Sequence, residues 1–90
     1  MNDKYTYHII VEGRVQGVGF RYFTMTKALK YHIKGSVQNI KNSVEIYCQG
    51  EKETINKFIN DIRKGPQLSL ITNFIINEVK IQDFKDFKIL

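Results

Sequence analysis

Gly13-Arg14-Val15-Gln16-Gly17-Val18-Gly19-Phe20-Arg21 is the stretch where the chain changes period. Before it, Tyr5 to Glu12 alternate. Tyr5, Tyr7, Ile9 and Val11 fall on one face of a strand, and Thr6, His8, Ile10 and Glu12 on the other. After it, from Phe20 to about Tyr31, residues recur at helical spacing. Phe20, Thr24, Ala28 and Tyr31 form one stripe, and Tyr22, Met25 and Leu29 a second. The nonapeptide is therefore a strand-to-helix turn. Ile10 gives the strand an apolar second face, which predicts a central place in a sheet. Either stripe can dock the helix; Ala28 permits close approach to a sheet and favours the first. Phe20 and Phe23 read as core residues.

Three glycines in seven residues let the backbone bend and come close to a ligand without Cβ interference. A glycine-rich turn entering a helix aims successive N–H groups at one spot, with the positive end of the helix dipole behind them. Such a spot suits an anion the size of phosphate. Arg21 stands in the first helical turn, where its planar fork can take two oxygens of that anion. Neither common nucleotide pattern fits. A P-loop needs Lys-Ser/Thr after its last glycine, and the dinucleotide fingerprint needs glycine where Tyr22 stands.

Outward from the turn, His32 stands where a left-handed residue closes the first helix. Gly35 to Ile40 reads as a second strand. Val44 to Gln49 reads as a third, with Val44, Ile46 and Cys48 inward and Glu45, Tyr47 and Gln49 outward. A tight turn of Lys-Asn-Ser joins them. Glu51 to Lys64 is the clearest helix, with Ile55, Phe58, Ile59 and Ile62 on one stripe. Acidic residues begin it, Arg63 and Lys64 end it, and Gly65-Pro66 stops it. Ser69 to Ile81 reads as a fourth strand, and Phe87 to Leu90 as a short fifth at an edge. The order is β-α-β-β-α-β. It predicts an α+β, ferredoxin-like sandwich, with two helices on one face of a mostly antiparallel sheet of 4–5 strands.

Ninety residues leave room for one core, so residues 1–90 are expected to form a single domain. Hydrophobic residues at 42% and charged residues at 26% are ordinary for a soluble globular chain. No apolar run reaches the roughly 20 residues of a membrane helix, and the N-terminus does not open a secretory signal. A cytoplasmic protein with no membrane partner is expected. Cys48 is the only cysteine and alternates with apolar residues, so it reads as a buried strand residue. His8 and His32 lie apart without neighbouring ligands, and no metal site or cofactor is expected. The net charge of +5 favours anionic partners, but the lysines are spread along the chain rather than gathered into a nucleic-acid stripe.

Gly-x-Val-x-Gly-Val-x-Phe-Arg, met by Gly13, Val15, Gly17, Val18, Phe20 and Arg21, resembles the signature of the acylphosphatase family. Gly35-Ser36-Val37-Gln38-Asn39 is similar to the family's second motif, Gly-aromatic-Val-x-Asn, departing from it at Ser36. The hairpin after Asn39 is one residue shorter than the family pattern and lacks its glycine. The resemblance covers essentially the whole chain and implies the same ferredoxin-like fold. It implies hydrolysis of acyl phosphates to carboxylate and inorganic phosphate. It also implies roles. Arg21 binds the phosphoryl group, Asn39 orients the attacking water, and the amides of Val15, Gln16, Gly17, Val18, Gly19 and Phe20 cradle the phosphate oxygens.

The residues are consistent with that chemistry. The motif region offers no nucleophile, and Glu12 is the only carboxylate near it. An asparagine positions water but does not take its proton. Such a site fails on a stable phosphomonoester, whose alkoxide leaving group needs an acid. An acyl phosphate expels a carboxylate, already a weak base, and transfer through a loose transition state needs positioning and charge stabilisation. The expected enzyme is metal-independent and monomeric and acts on a small molecule.

Two rival readings remain at this level. Gly17 to Phe23 superficially resembles the aromatic-glycine run of an RNA-recognition motif, which would make the chain a non-catalytic module binding RNA or a phospholigand. That run belongs on a third strand, however, where only Tyr47 faces outward. Alternatively, the chain is an acylphosphatase-like accessory domain of a larger maturation protein. Its end in a last strand at Leu90 favours a free-standing enzyme.

Overall fold

Seven elements follow one another in the computed structural model, which describes residues 4–90. They are β1 (Lys4–Arg14), α1 (Phe20–Lys30), β2 (Lys34–Ile40), β3 (Ser43–Glu51), α2 (Lys52–Lys64), β4 (Leu70–Val79) and β5 (Phe87–Ile89). The strands lie in the order β4-β1-β3-β2-β5. Every pairing is antiparallel except β5 with β2. This is the ferredoxin-like α+β order expected from the sequence, with β1 in the interior of the sheet.

Register explains which residues meet the helices. Ile9 pairs with Ile46 and Val11 with Val44, while β2 sets Val37 beside Ile46 and Asn39 beside Val44. Because side chains alternate along a strand, these residues share one face. All but Asn39 are fully buried. α1 covers that face with Phe20, Thr24 and Ala28, the stripe that Ala28 favoured. Thr24 tolerates burial because its hydroxyl donates to the Phe20 carbonyl at 2.8 Å. α2 contributes Ile55, Phe58, Ile59 and Ile62. The helices are clasped to each other where the Tyr31 hydroxyl donates to Asp61 Oδ2 at 2.7 Å and Lys27 approaches the same oxygen at 3.5 Å. This bond holds the Asp61 carboxyl below its ordinary range and raises the Tyr31 phenol above its own.

Some boundaries differ from expectation. Tyr31 and Glu51 are caps rather than helical residues. β4 is shorter than Ser69 to Ile81: it ends at Val79, and at its start Ser69 turns back to donate its hydroxyl to the Pro66 carbonyl at 2.7 Å. His32 takes the expected left-handed conformation, with φ of 57°. Arg63 stacks over the Phe74 ring at 4.4 Å.

The outward face corrects one expectation. Gln49 and Thr6 have outward register, yet both are buried. The chain between β4 and β5 crosses that face. The Gln82 N–H donates to Gln49 Oε1 at 2.9 Å, the Thr6 hydroxyl donates to the same oxygen at 2.6 Å, and the Phe84 ring lies 6.2 Å from that of Tyr47. A short antiparallel sheet often leaves one face to solvent; here a seven-residue crossing covers part of it.

Candidate active site

The loop between β1 and α1 is anchored at both ends. Val15 and Phe20 are almost fully buried, at 1% and 2% exposure, and hold the turn against the core. Gly17 and Gly19 lie between them with φ of 72° and 80°, a region that residues with a Cβ rarely enter. A Cβ added to either would meet nothing within 4 Å. Backbone conformation, not crowding, therefore calls for glycine here, and the space before the loop is open.

Gly19 caps α1 without any side-chain hydrogen bond. The first helical bond runs from the Phe23 N–H to the Gly19 carbonyl at 3.0 Å. Amides N-terminal to it have no partner within the helix and present a cluster of donors at the positive end of its dipole.

In front of this loop lies a cavity of about 260 Å³. Val15, Gln16, Gly17, Gly19, Phe20 and Arg21 line it from the loop and the first turn of α1, and Asn39 lines it from β2. Residues brought together by two separate motifs thus share one space. Val18 is the exception among the expected loop residues, since its side chain is partly buried against the core. Arg21 is exposed and, among the described residues, has no carboxylate partner. Among the described residues the lining holds one permanent cation and no acidic side chain. Glu12, the carboxylate nearest in sequence, is engaged by Asn73, whose Nδ2 donates to it at 3.0 Å.

Register brings Asn39 to the cavity. It shares the helix-facing side with Val37 but lies at the end of β2, beyond the cover of the core, and is half-buried. The two-residue turn that follows closes with Ile40 opposite Ser43 and Lys41 at φ of 49°. Gln16 reaches this turn. Its Nε2 donates to the carbonyls of Lys41 and Ser43 at 2.8 and 2.9 Å.

Two lining residues, Tyr22 and Ile89, were not anticipated. Tyr22 follows Arg21 on the first turn of α1. Ile89 arrives because β5 runs parallel to β2, with Val37 opposite Ile89. Alternation reveals a strand but not which edge it joins, so nothing in the sequence placed Ile89 here. Cys48 is fully buried, and burial pushes its thiol up to about 12, consistent with a structural residue. Among the described residues no three His, Cys, Asp or Glu side chains gather as a metal site would require. Gly17 to Phe23 form the loop and α1 and not β3, so their aromatics are not laid out as a base-stacking platform.

The acylphosphatase family model matches residues 7–89. The chain belongs to the acylphosphatase family. It is 45% identical over 83 residues to an acylphosphatase of Staphylococcus aureus, covering 90% of this chain and 93% of that one. Its fold superposes on the crystal structure of the acylphosphatase from Bacillus subtilis with a TM-score of 0.92 at 35% identity, covering 96% of this chain and 98% of that one. It also matches part of full-length HypF, crystallised in a phosphate- and nucleotide-bound form. There the TM-score is 0.96 at 38% identity, over 100% of this chain and 12% of HypF. The acylphosphatase resemblance of the two motifs therefore extends across the chain. This is an enzyme that hydrolyses acyl phosphates.

Proposed function

We propose that the protein converts acyl phosphates to carboxylate and inorganic phosphate with the phosphoryl group held by Arg21 and the loop amides of residues 15–20, and the water aimed by Asn39. One observation carries this reading. The open glycine loop, a guanidinium with no carboxylate partner among the described residues and a neutral carboxamide line a single cavity. The Arg21 fork and the amides match the equatorial oxygens of a phosphoryl group, where charge gathers in the transition state. The Asn39 carboxamide accepts from and donates to one water, fixing it in line with the bond to the leaving carboxylate. As the water oxygen bonds to phosphorus, the acyl–oxygen bond to phosphorus breaks and the carboxylate leaves with the electron pair. The water's proton passes to a phosphate oxygen, since the cavity lining holds no base among the described residues.

No step calls for a metal, and the leaving group needs no acid. Benzoyl phosphate hydrolysis in the presence of a chelator, beside a phosphomonoester control, tests this. Full turnover of the first with none of the second is expected. Loss of activity in chelator, or equal hydrolysis of both, contradicts it.

The wider reading is of one domain over residues 1–90, working as a cytoplasmic monomer on small molecules, without nucleic acid or membrane partners. Its support is the single apolar core and the absence, among the described residues, of any helix long and apolar enough to cross a membrane. The match to part of HypF favours a second reading, in which this domain serves as the accessory unit of a larger protein. Turnover by the isolated chain at a rate comparable to acylphosphatases of the same length favours the first.

A further inference from the structure

The Gln16 side chain has no part in the reaction as derived above, yet its nitrogen makes two hydrogen bonds across the molecule. One acceptor is the carbonyl of Lys41 in the turn after β2, the other that of Ser43 at the start of β3, one on each side of Asn42. Only an amide nitrogen, with two hydrogens, satisfies both, so the orientation of the carboxamide follows from its partners. These bonds join two segments that belong to different motifs. On one side stands a loop whose Gly17 and Gly19 have no side chains to pin it. On the other stands a two-residue turn carrying Lys41 in a left-handed conformation, φ of 49°, that glycine or asparagine tolerates better. Asn39 lies two residues before Lys41.

We infer that Gln16 is a positioning residue: its carboxamide clamps the phosphate loop to the hairpin that carries Asn39, so that phosphoryl group and attacking water keep one mutual geometry. The inference rests on the water-orienting reading of Asn39 given above. Cutting the clamp leaves the phosphate cradle intact, since Val15 and Phe20 still anchor the loop in the core. It frees Asn39 to move relative to that cradle. A small misplacement of a reacting group costs rate and spares ground-state binding.

The experiment compares the wild-type chain with Gln16→Met, Gln16→Glu, Asn39→Ala and the Gln16→Met/Asn39→Ala pair. Three quantities are read: kcat on benzoyl phosphate, competitive inhibition by inorganic phosphate, and the thermal midpoint. Methionine keeps the length without the donors, and glutamate sets a carboxylate against two carbonyls. Each Gln16 variant is expected to lose about ten- to a hundredfold in kcat. Inhibition by inorganic phosphate should stay within about twofold of wild type. In the Asn39→Ala background Gln16→Met should cost less than about threefold, because residues acting as a unit are not additive. A Gln16→Met and a Gln16→Glu protein that both turn over normally overturn the clamp. Losses that multiply in the double variant, or phosphate inhibition that weakens as much as kcat, overturn it too while leaving Asn39 its role. An Asn39→Ala protein with wild-type turnover overturns the water-orienting reading and the clamp with it.

Discussion

Arg21, in the first turn of α1, and Asn39, at the end of β2, line the same cavity of about 260 Å³. One arrives through a strand-to-helix turn and the other through the register of β2 against β3, which turns Asn39 toward the helices. An anion held at the guanidinium would share that space with the carboxamide, as the proposed transfer to water requires.

Arg21→Lys preserves charge but replaces a planar fork with a point charge. It should lose about a hundredfold or more in kcat/KM on benzoyl phosphate, by analogy with removal of a single oxyanion donor. Steady-state kinetics checks this; near-normal turnover would mean that Arg21 does not grip the phosphoryl oxygens.

Gly19→Ala puts a Cβ where φ is 80° and nothing lies within 4 Å. Strain, not collision, is the consequence, about 1–2 kcal/mol for a left-handed residue. The variant should fold, with a lower midpoint in denaturant. Its inhibition by inorganic phosphate should weaken as the loop relaxes and its amides diverge. Unchanged phosphate inhibition would show that the loop conformation is not needed for binding.

Much of this site was legible in the residues themselves. The shift from alternation to helical period marked the turn, and Gly17 and Gly19 sit at positive φ, the bend that their lack of a Cβ permits. Ala28 identified the docking stripe of α1, and Gly65 marked the end of α2. What escaped depended on tertiary placement. Ile89 entered the cavity because β5 joined the β2 edge, and Gln49 lost its solvent to a crossing segment that carries no periodic signal. The Gln16 bonds join residues 25 and 27 positions apart, through backbone carbonyls that any residue possesses, so no side-chain pattern announced them.

The outer face predicts an acid response. Glu45 accepts from Gln38 at 2.8 Å and meets His8 Nε2 at 2.8 Å, and the His8 bond above all holds its carboxyl below the ordinary 4.5. A depressed carboxylate stabilises the fold above its unfolded value and loses that contribution as pH falls through the folded value. Glu45→Gln should therefore be less stable than wild type at neutral pH, by about 1 kcal/mol or less for a pair near the surface. The gap should close as pH drops below 4.5. Denaturant titrations across that range check it; a gap that stays constant into acid would dissociate Glu45 from the acid limb.

The central claim is that Asn39 aims water while other groups hold phosphate. Its most direct test is Asn39→Ala, with kcat on benzoyl phosphate measured beside the inhibition constant for inorganic phosphate. The account predicts a fall in kcat of about a hundredfold or more, with phosphate inhibition close to wild type. An equal loss in both would contradict it, assigning Asn39 to holding the ligand or the fold.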